Sequence, residues 1–241
     1  MEKQKGKIIL ITGGAQGLGE AISRELACDH NTILIADLQY DKAKKIIEDV
    51  RGKGSHGLAY RLDLKDAASI RDLIRKIQEE FGRLDVLINN AGTDITKSIV
   101  EMSVEEWDRV ISINLRAPFL TTKFSLPVMA EQGSGHIINI ISTAALRGWT
   151  EASAYHASKW GLRGFTQALF TEARRNNIKA SAIIAGGMKT PFLLDRFPDI
   201  DQSKLQEPEQ VARTIKYILS QPPESIIPEV MVLPLQETSW P

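Results

Sequence analysis

Short β-branched runs alternate with longer amphipathic stretches along this chain, beginning with IILIT at 8–12 and TILIAD at 32–37. That alternation is the pattern of strand–helix–strand units, in which consecutive strands run parallel and helices cross between them. Further strand runs fall at 56–62, 84–89, 136–142 and 180–184, with a weaker seventh at 230–233. Segments such as DVLIN and IINII are apolar almost without interruption, which suits strands covered by helices on both faces. Helical patterns at 17–28, 41–51, 66–81, 104–129, 153–176 and 208–220 supply those covers. The expectation is an α/β fold: a doubly wound, parallel, seven-stranded sheet flanked by helices on both faces.

The 241 residues suit one domain spanning 1–241, and no repeat, low-complexity stretch or Pro/Gly/Ser-rich linker divides them. Thirty basic residues balance thirty acidic ones. Neither a nucleic-acid partner nor an anionic membrane is implied by such totals. The start MEKQKGK is followed by an apolar run too brief for a secretory or membrane-spanning segment, so a cytoplasmic location is expected. Single Cys28 cannot pair within the chain and is expected to be an inert thiol. The four histidines, at 30, 56, 136 and 156, show no metal-ligand spacing, and no metal is expected. From 190 to 207, Phe192, Leu193, Leu194 and Phe197 mix with charges before a helical pattern resumes. This segment is expected to be a lid beside a pocket.

After the first strand comes T12-G-G-A-Q-G-L-G19, with glycines at 13, 14, 17 and 19 where strand must turn into helix. Backbone free of side chains can approach a phosphate, and the helix amino terminus favours an anion through its unpaired amides and dipole. Asp37, closing the second strand about 20 residues on, is the acid that accompanies a dinucleotide turn of this kind. A carboxylate accepts hydrogen bonds from a ribose diol and repels an added phosphate. Neither Gln16 in the turn nor Leu38 after the acid supplies a cation for such a phosphate. NAD is therefore the expected cofactor, and NADP the less favoured one.

In S153-A-Y-H-A-S-K159, Tyr155 and Lys159 stand four residues apart, on one helix face. A phenol with a reference pKa of about 10 needs a neighbouring cation to exchange protons near neutrality. Ser142 ends the run IINIIS at the carboxyl edge of the sheet, where open α/β sheets bind ligands. Asn114 and the turn N89-N-A-G92 add polar features expected to face the same edge. His156 points about 100° away from Tyr155 around the helix and is expected to pack. Trp149 and Trp160 receive no role.

On these residues the chain resembles the short-chain dehydrogenase/reductase family over almost its full length, with Thr12 to Gly19, Asn89 to Gly92, and Asn114, Ser142, Tyr155 and Lys159 in the family's order. The resemblance implies a Rossmann fold and a hydride exchanged between a nicotinamide and an alcohol or ketone. It makes Tyr155 the general acid and base, with Ser142 on the substrate oxygen. Lys159 holds the ribose and lowers the Tyr155 pKa, and Asn114 positions a water. Gly13, Gln16, Gly17, Leu18, Gly19, Asp37 and Leu38 are assigned to the cofactor, together with Asp63 and Leu64 beside the adenine. Asn90, Ala91 and Gly92 line the cleft, while Met188 and Thr190 meet the nicotinamide side. A homodimer or homotetramer is implied, with the Tyr155-bearing helix in contact.

Two features depart from the family pattern: Ala185-Gly186 stands where Pro-Gly is usual, and the tail VLPLQETSWP lacks a glycine-rich ending. The tail and Asp37 both speak against an alternative reading as a 3-oxoacyl-acyl-carrier-protein reductase. Another alternative is a non-catalytic dinucleotide-sensing regulator, against which the four retained polar residues weigh.

Overall fold

The computed structural model describes residues 6–27 and 30–237, so Cys28 lies outside the described residues. Seven strands form one sheet: β1 (Ile8–Thr12), β2 (Thr32–Asp37), β3 (His56–Arg61), β4 (Val86–Asn89), β5 (Gly135–Ser142), β6 (Ile178–Ala185) and β7 (Glu229–Val232). All pair in parallel, in the order β3-β2-β1-β4-β5-β6-β7. The chain works outward from β1 to β3, then returns to lay β4 against the other side of β1. That reversal opens a crevice at the carboxyl ends of β1 and β4.

Alternation along each strand explains the uninterrupted apolar runs. Ile9, Ile11, Ile33 and Ile35 pack on α1 (Gly17–Glu25), α2 (Tyr40–Gly52) and α8 (Pro208–Leu219). Ile8, Leu10 and Leu34 face the other way, onto α3 (Ala67–Phe81), α5 (Ala117–Glu131) and α6 (Ser153–Ala173). Both faces are therefore dry, as a parallel sheet requires.

The expected helix over 104–129 is in fact interrupted. α4 (Val104–Ile111), opened by a capping box between Ser103 and Glu106, runs into a π-helical turn at Ser112–Arg116 before α5 begins. The wider turn seats Asn114 inward, fully buried, and Pro118 restarts the α-helical pattern where its missing N–H costs nothing. Other differences lie at ends. α1 stops at Glu25, and α6 at Ala173, after which Arg174–Asn176 tightens into a 3-10 turn capped by left-handed Asn177. After β6 an excursion leaves and returns through a bridge between Met188 and Gln206, reinforced by Gln206 N donating to Gly187 O. It contains the single-turn helix α7 (Pro191–Leu194). No described helix is long and apolar enough to cross a membrane.

Candidate active site

The glycine turn and the Asn89–Gly92 turn are stitched into one rim. Asn90 Nδ2 donates to the carbonyls of Thr12 and Gly13 at 3.1 and 2.9 Å, and the Thr12 hydroxyl accepts from Asn90 N and Ala91 N. Gly13 has a φ of +65°, and a Cβ on Gly19 would fall 2.0 Å from Gly13 O, so neither position tolerates a side chain. The first turn of α1 has no side-chain cap on Gln16, which leaves its amides facing the cleft.

Asp37 closes β2 with both carboxylate oxygens already engaged. Oδ2 accepts from Ala15 N at 3.0 Å and Oδ1 from Gln39 N at 2.8 Å. Each oxygen keeps lone pairs, and the residue lines the cleft beside Leu38, Asp63 and Leu64. A cation that sequence reading overlooked stands nearby: Lys42 Nζ donates to Gln16 Oε1 at 3.3 Å. It belongs to α2, and only the fold brings it to the turn.

At the chemical end, Tyr155 and Lys159 lie in the first turns of α6, with Lys159 Nζ 5.7 Å from the Tyr155 ring centre. Lys159 donates to Ile140 O at 2.9 Å. Ser142 ends β5 and accepts from Ala144 N at 3.2 Å. Burial pushes the Tyr155 phenol up to about 12 against an opposing hydrogen bond from Ser142, while Asp94 raises it and Arg196 lowers it. In the protein alone, desolvation is the largest influence on the phenol. Burial also drives Lys159 down to about 8, against the pull of Asp94.

Asn114 spends its amide inside the protein. Oδ1 accepts from Thr93 N, and Nδ2 donates to Thr93 O and Ser158 Oγ, all between 2.8 and 3.0 Å. It thereby ties the π turn to the strand-end loop and to α6. A Cβ on Gly92 would stand 3.6 Å from Asn114 Oδ1 and 3.9 Å from Lys159 Nζ, so that glycine keeps open the space between them.

Every residue assigned from sequence to catalysis or cofactor, except the enclosed Asn114, lines one cleft of about 1060 Å³. Its width, open helix terminus, glycine rim and carboxylate at the end of β2 fit an extended dinucleotide. Among the described residues no cluster of His, Cys, Asp or Glu could hold a metal.

Several contacts within the cleft escaped sequence reading. Asp94, two residues after Gly92, is paired with Arg196 from the excursion after β6. Phe192 sets its ring 5.9 Å from that of Tyr155. His156 does more than pack: Nδ1 bonds Ala144 O at 2.8 Å and Nε2 accepts from Trp149 N at 3.1 Å, which pins the loop forming one cleft wall. Trp149 packs on its ring edge-to-face at 4.3 Å, whereas Trp160 is half exposed on α6. Polar residues at single positions give no periodic signal, so only the three-dimensional arrangement reveals them.

Comparison with known proteins agrees with this geometry. The family model described as short chain dehydrogenase matches residues 7–201. A 3-oxoacyl-[acyl-carrier-protein] reductase of Thermotoga maritima is 31% identical over 225 residues, covering 90% of this chain and 91% of its own. A 2,5-dichloro-2,5-cyclohexadiene-1,4-diol dehydrogenase of Sphingobium indicum is 33% identical over 223 residues, 89% of each chain. Among solved structures, a metagenomic short-chain oxidoreductase in complex with NADP superposes with a TM-score of 0.86 at 28% identity, covering 97% of this chain and 99% of that one. With the matched region reaching from β1 past the Tyr155–Lys159 helix, the chain belongs to the short-chain dehydrogenase family of oxidoreductases.

Proposed function

We propose that this protein interconverts a small alcohol and its ketone with a nicotinamide dinucleotide, Tyr155 being the proton donor and acceptor. The observation that carries this reading is the convergence of Ser142, Tyr155 and Lys159 at the carboxyl edge of the sheet, at the far end of a cleft that begins in a glycine rim. When bound, the nicotinamide supplies or accepts the hydride. In reduction, the Ser142 hydroxyl orients the substrate carbonyl and Tyr155 gives its proton to that oxygen as the carbon gains hydride. In oxidation Tyr155 takes the proton back. A phenol held at about 12 is a sound donor and a reluctant base. Lys159, close by and cationic below a pKa of about 8, offsets the phenolate in the oxidative direction. Asn114 shapes the polar floor behind Lys159 and positions water there.

Gly13, Gln16, Gly17, Leu18 and Gly19 hold the pyrophosphate side, with Asp37 and Leu38 at the adenosine ribose, Asp63 and Leu64 at the adenine, and Asn90, Ala91 and Gly92 along the middle. Met188 and Thr190 border the nicotinamide. NAD is the preferred form because Asp37 places a negative charge where a ribose phosphate would sit. Lys42, held by Gln16, favours NADP, with which the metagenomic short-chain oxidoreductase is in complex. Segment 190–207 acts as a lid over a single domain. Half-exposed Phe119 and Trp160 on α5 and α6 support a homodimer or homotetramer built on those helices.

The test is turnover of a ketone panel with NADH and NADPH by wild type and Tyr155→Phe. The expected result is a preference for NADH and a rate reduced by about a hundredfold or more in the variant. Equal turnover by both proteins removes Tyr155 from the chemistry, and a clear NADPH preference reverses the assignment of Asp37.

A further inference from the structure

Beside the proton-transfer residues, the cleft holds a second polar device that this chemistry does not use. Asp94 has its side chain only 7% exposed, and Arg196, at 22%, reaches it from the lid segment. The guanidinium is held in a fixed attitude: its carbon lies 4.3 Å from the Phe192 ring centre and 5.5 Å from that of Phe197, and Nε donates to Phe192 O at 2.9 Å. Phe192 in turn packs on Tyr155. Thus Tyr155, Phe192 and Arg196 form one continuous stack on the wall of the cleft. Nη1 of Arg196 donates to Asp94 Oδ2, and Asp94 Oδ1 accepts from Ile95 N. Nη2 has no partner among the described residues, although a guanidinium seeks acceptors for all its N–H groups.

We infer that the Asp94–Arg196 pair is a substrate subsite, in which Arg196 Nη2 donates to a second, uncharged oxygen on the substrate. The substrate class is a compact dioxygenated compound, a hydroxyketone, diketone or diol, in preference to a simple ketone or a keto acid. This rests on the oxidoreductase reading above. The argument for a neutral oxygen is electrostatic. Asp94 already supplies the counter-charge of Arg196, so a substrate carboxylate bound at Arg196 would stand beside the Asp94 carboxylate and be repelled by it. A carbonyl or hydroxyl brings an acceptor without a charge. Phe192, which touches both the Tyr155 ring and the Arg196 guanidinium, brings the pair to the neighbourhood of the reacting group.

The test compares three matched ketones, cyclohexanone, hydroxycyclohexanone and cyclohexanedione, together with a keto acid of similar size. The readouts are kcat/KM with NADH, and the rise in melting temperature each compound gives the NAD-loaded protein. Wild type should favour the dioxygenated rings over cyclohexanone by about tenfold or more, the scale of one hydrogen bond to a charged donor. Arg196→Leu should erase that ratio, and Arg196→Lys should restore part of it. A mere loosening of the lid would weaken all the rings alike and leave the ratio standing. Asp94→Asn should shift preference toward the keto acid, since the guanidinium then lacks its counter-charge. Equal treatment of the rings by wild type, or an unaltered ratio in Arg196→Leu, overturns the subsite while leaving ketone reduction intact. If no ketone is reduced at all, the oxidoreductase reading falls, and the melting-temperature differences alone decide the subsite.

Discussion

His156 shows how much one residue can contribute without touching the chemistry. It follows Tyr155 in sequence, yet its ring reaches across to Ala144 O and Trp149 N, so only the tautomer carrying hydrogen on Nδ1 satisfies both. The loop it holds forms part of the cleft wall. His156→Ala should therefore raise KM by up to about thirtyfold, from two hydrogen bonds worth roughly 1 kcal/mol each, with a smaller change in kcat. Steady-state kinetics on any accepted ketone checks this, and an unaltered KM would show that the loop holds its shape unaided. Tyr155, Lys159 and Ser142 were legible because their spacing follows helix and strand periods. The pairing of Asp94 with Arg196 and the clamp formed by His156 were not, since each depends on residues apart in sequence meeting in space.

Among the elements, β4 and β5 carry a buried polar relay that their apolar runs conceal. Thr121 Oγ1 donates to Asn89 Oδ1, Asn89 Nδ2 to Asn139 Oδ1, and Asn139 Nδ2 to Thr166 Oγ1, each within 2.8 Å. The relay crosses from α5 through both strands to α6, whose first turns hold Tyr155. Asn139 is fully buried, and replacing it with Ala leaves the Asn89 amide without its acceptor and the Thr166 hydroxyl with Leu162 O alone. A loss of about 3 kcal/mol is expected, measured as a lower urea midpoint. A loss below about 1 kcal/mol would mean that the neighbours re-pair. Strand and helix types followed from periodicity, whereas the π turn at Ser112–Arg116 did not. One extra residue in a turn leaves the apolar pattern on both sides nearly unaltered, and its purpose, seating Asn114, is visible only in the bonds to Thr93 and Ser158.

For the whole molecule, acid sensitivity should be set in part by His136 at the start of β5. Its Nε2 bonds Ser181 Oγ at 2.8 Å, and burial drives its pKa from 6.5 down to about 3. A histidine depressed in the folded state is protonated first in the unfolded chain. Stability is therefore complete above pH 6.5 and declines as pH falls toward 3, by roughly 1.4 kcal/mol per pH unit from this group. The difference in unfolding free energy between wild type and His136→Gln, followed from pH 7 to pH 4, isolates that slope from the carboxylates. Parallel curves would place the acid sensitivity elsewhere. The sheet itself carries a further consequence. With seven strands all pointing one way, every loop that leaves a strand's end joins the rim of the cleft, and every loop that enters a strand lies at the opposite pole. Selectivity can thus drift by exchange of the outgoing loops while the scaffold stands still, and the incoming pole is left as a neutral handle for tethering the enzyme to a support.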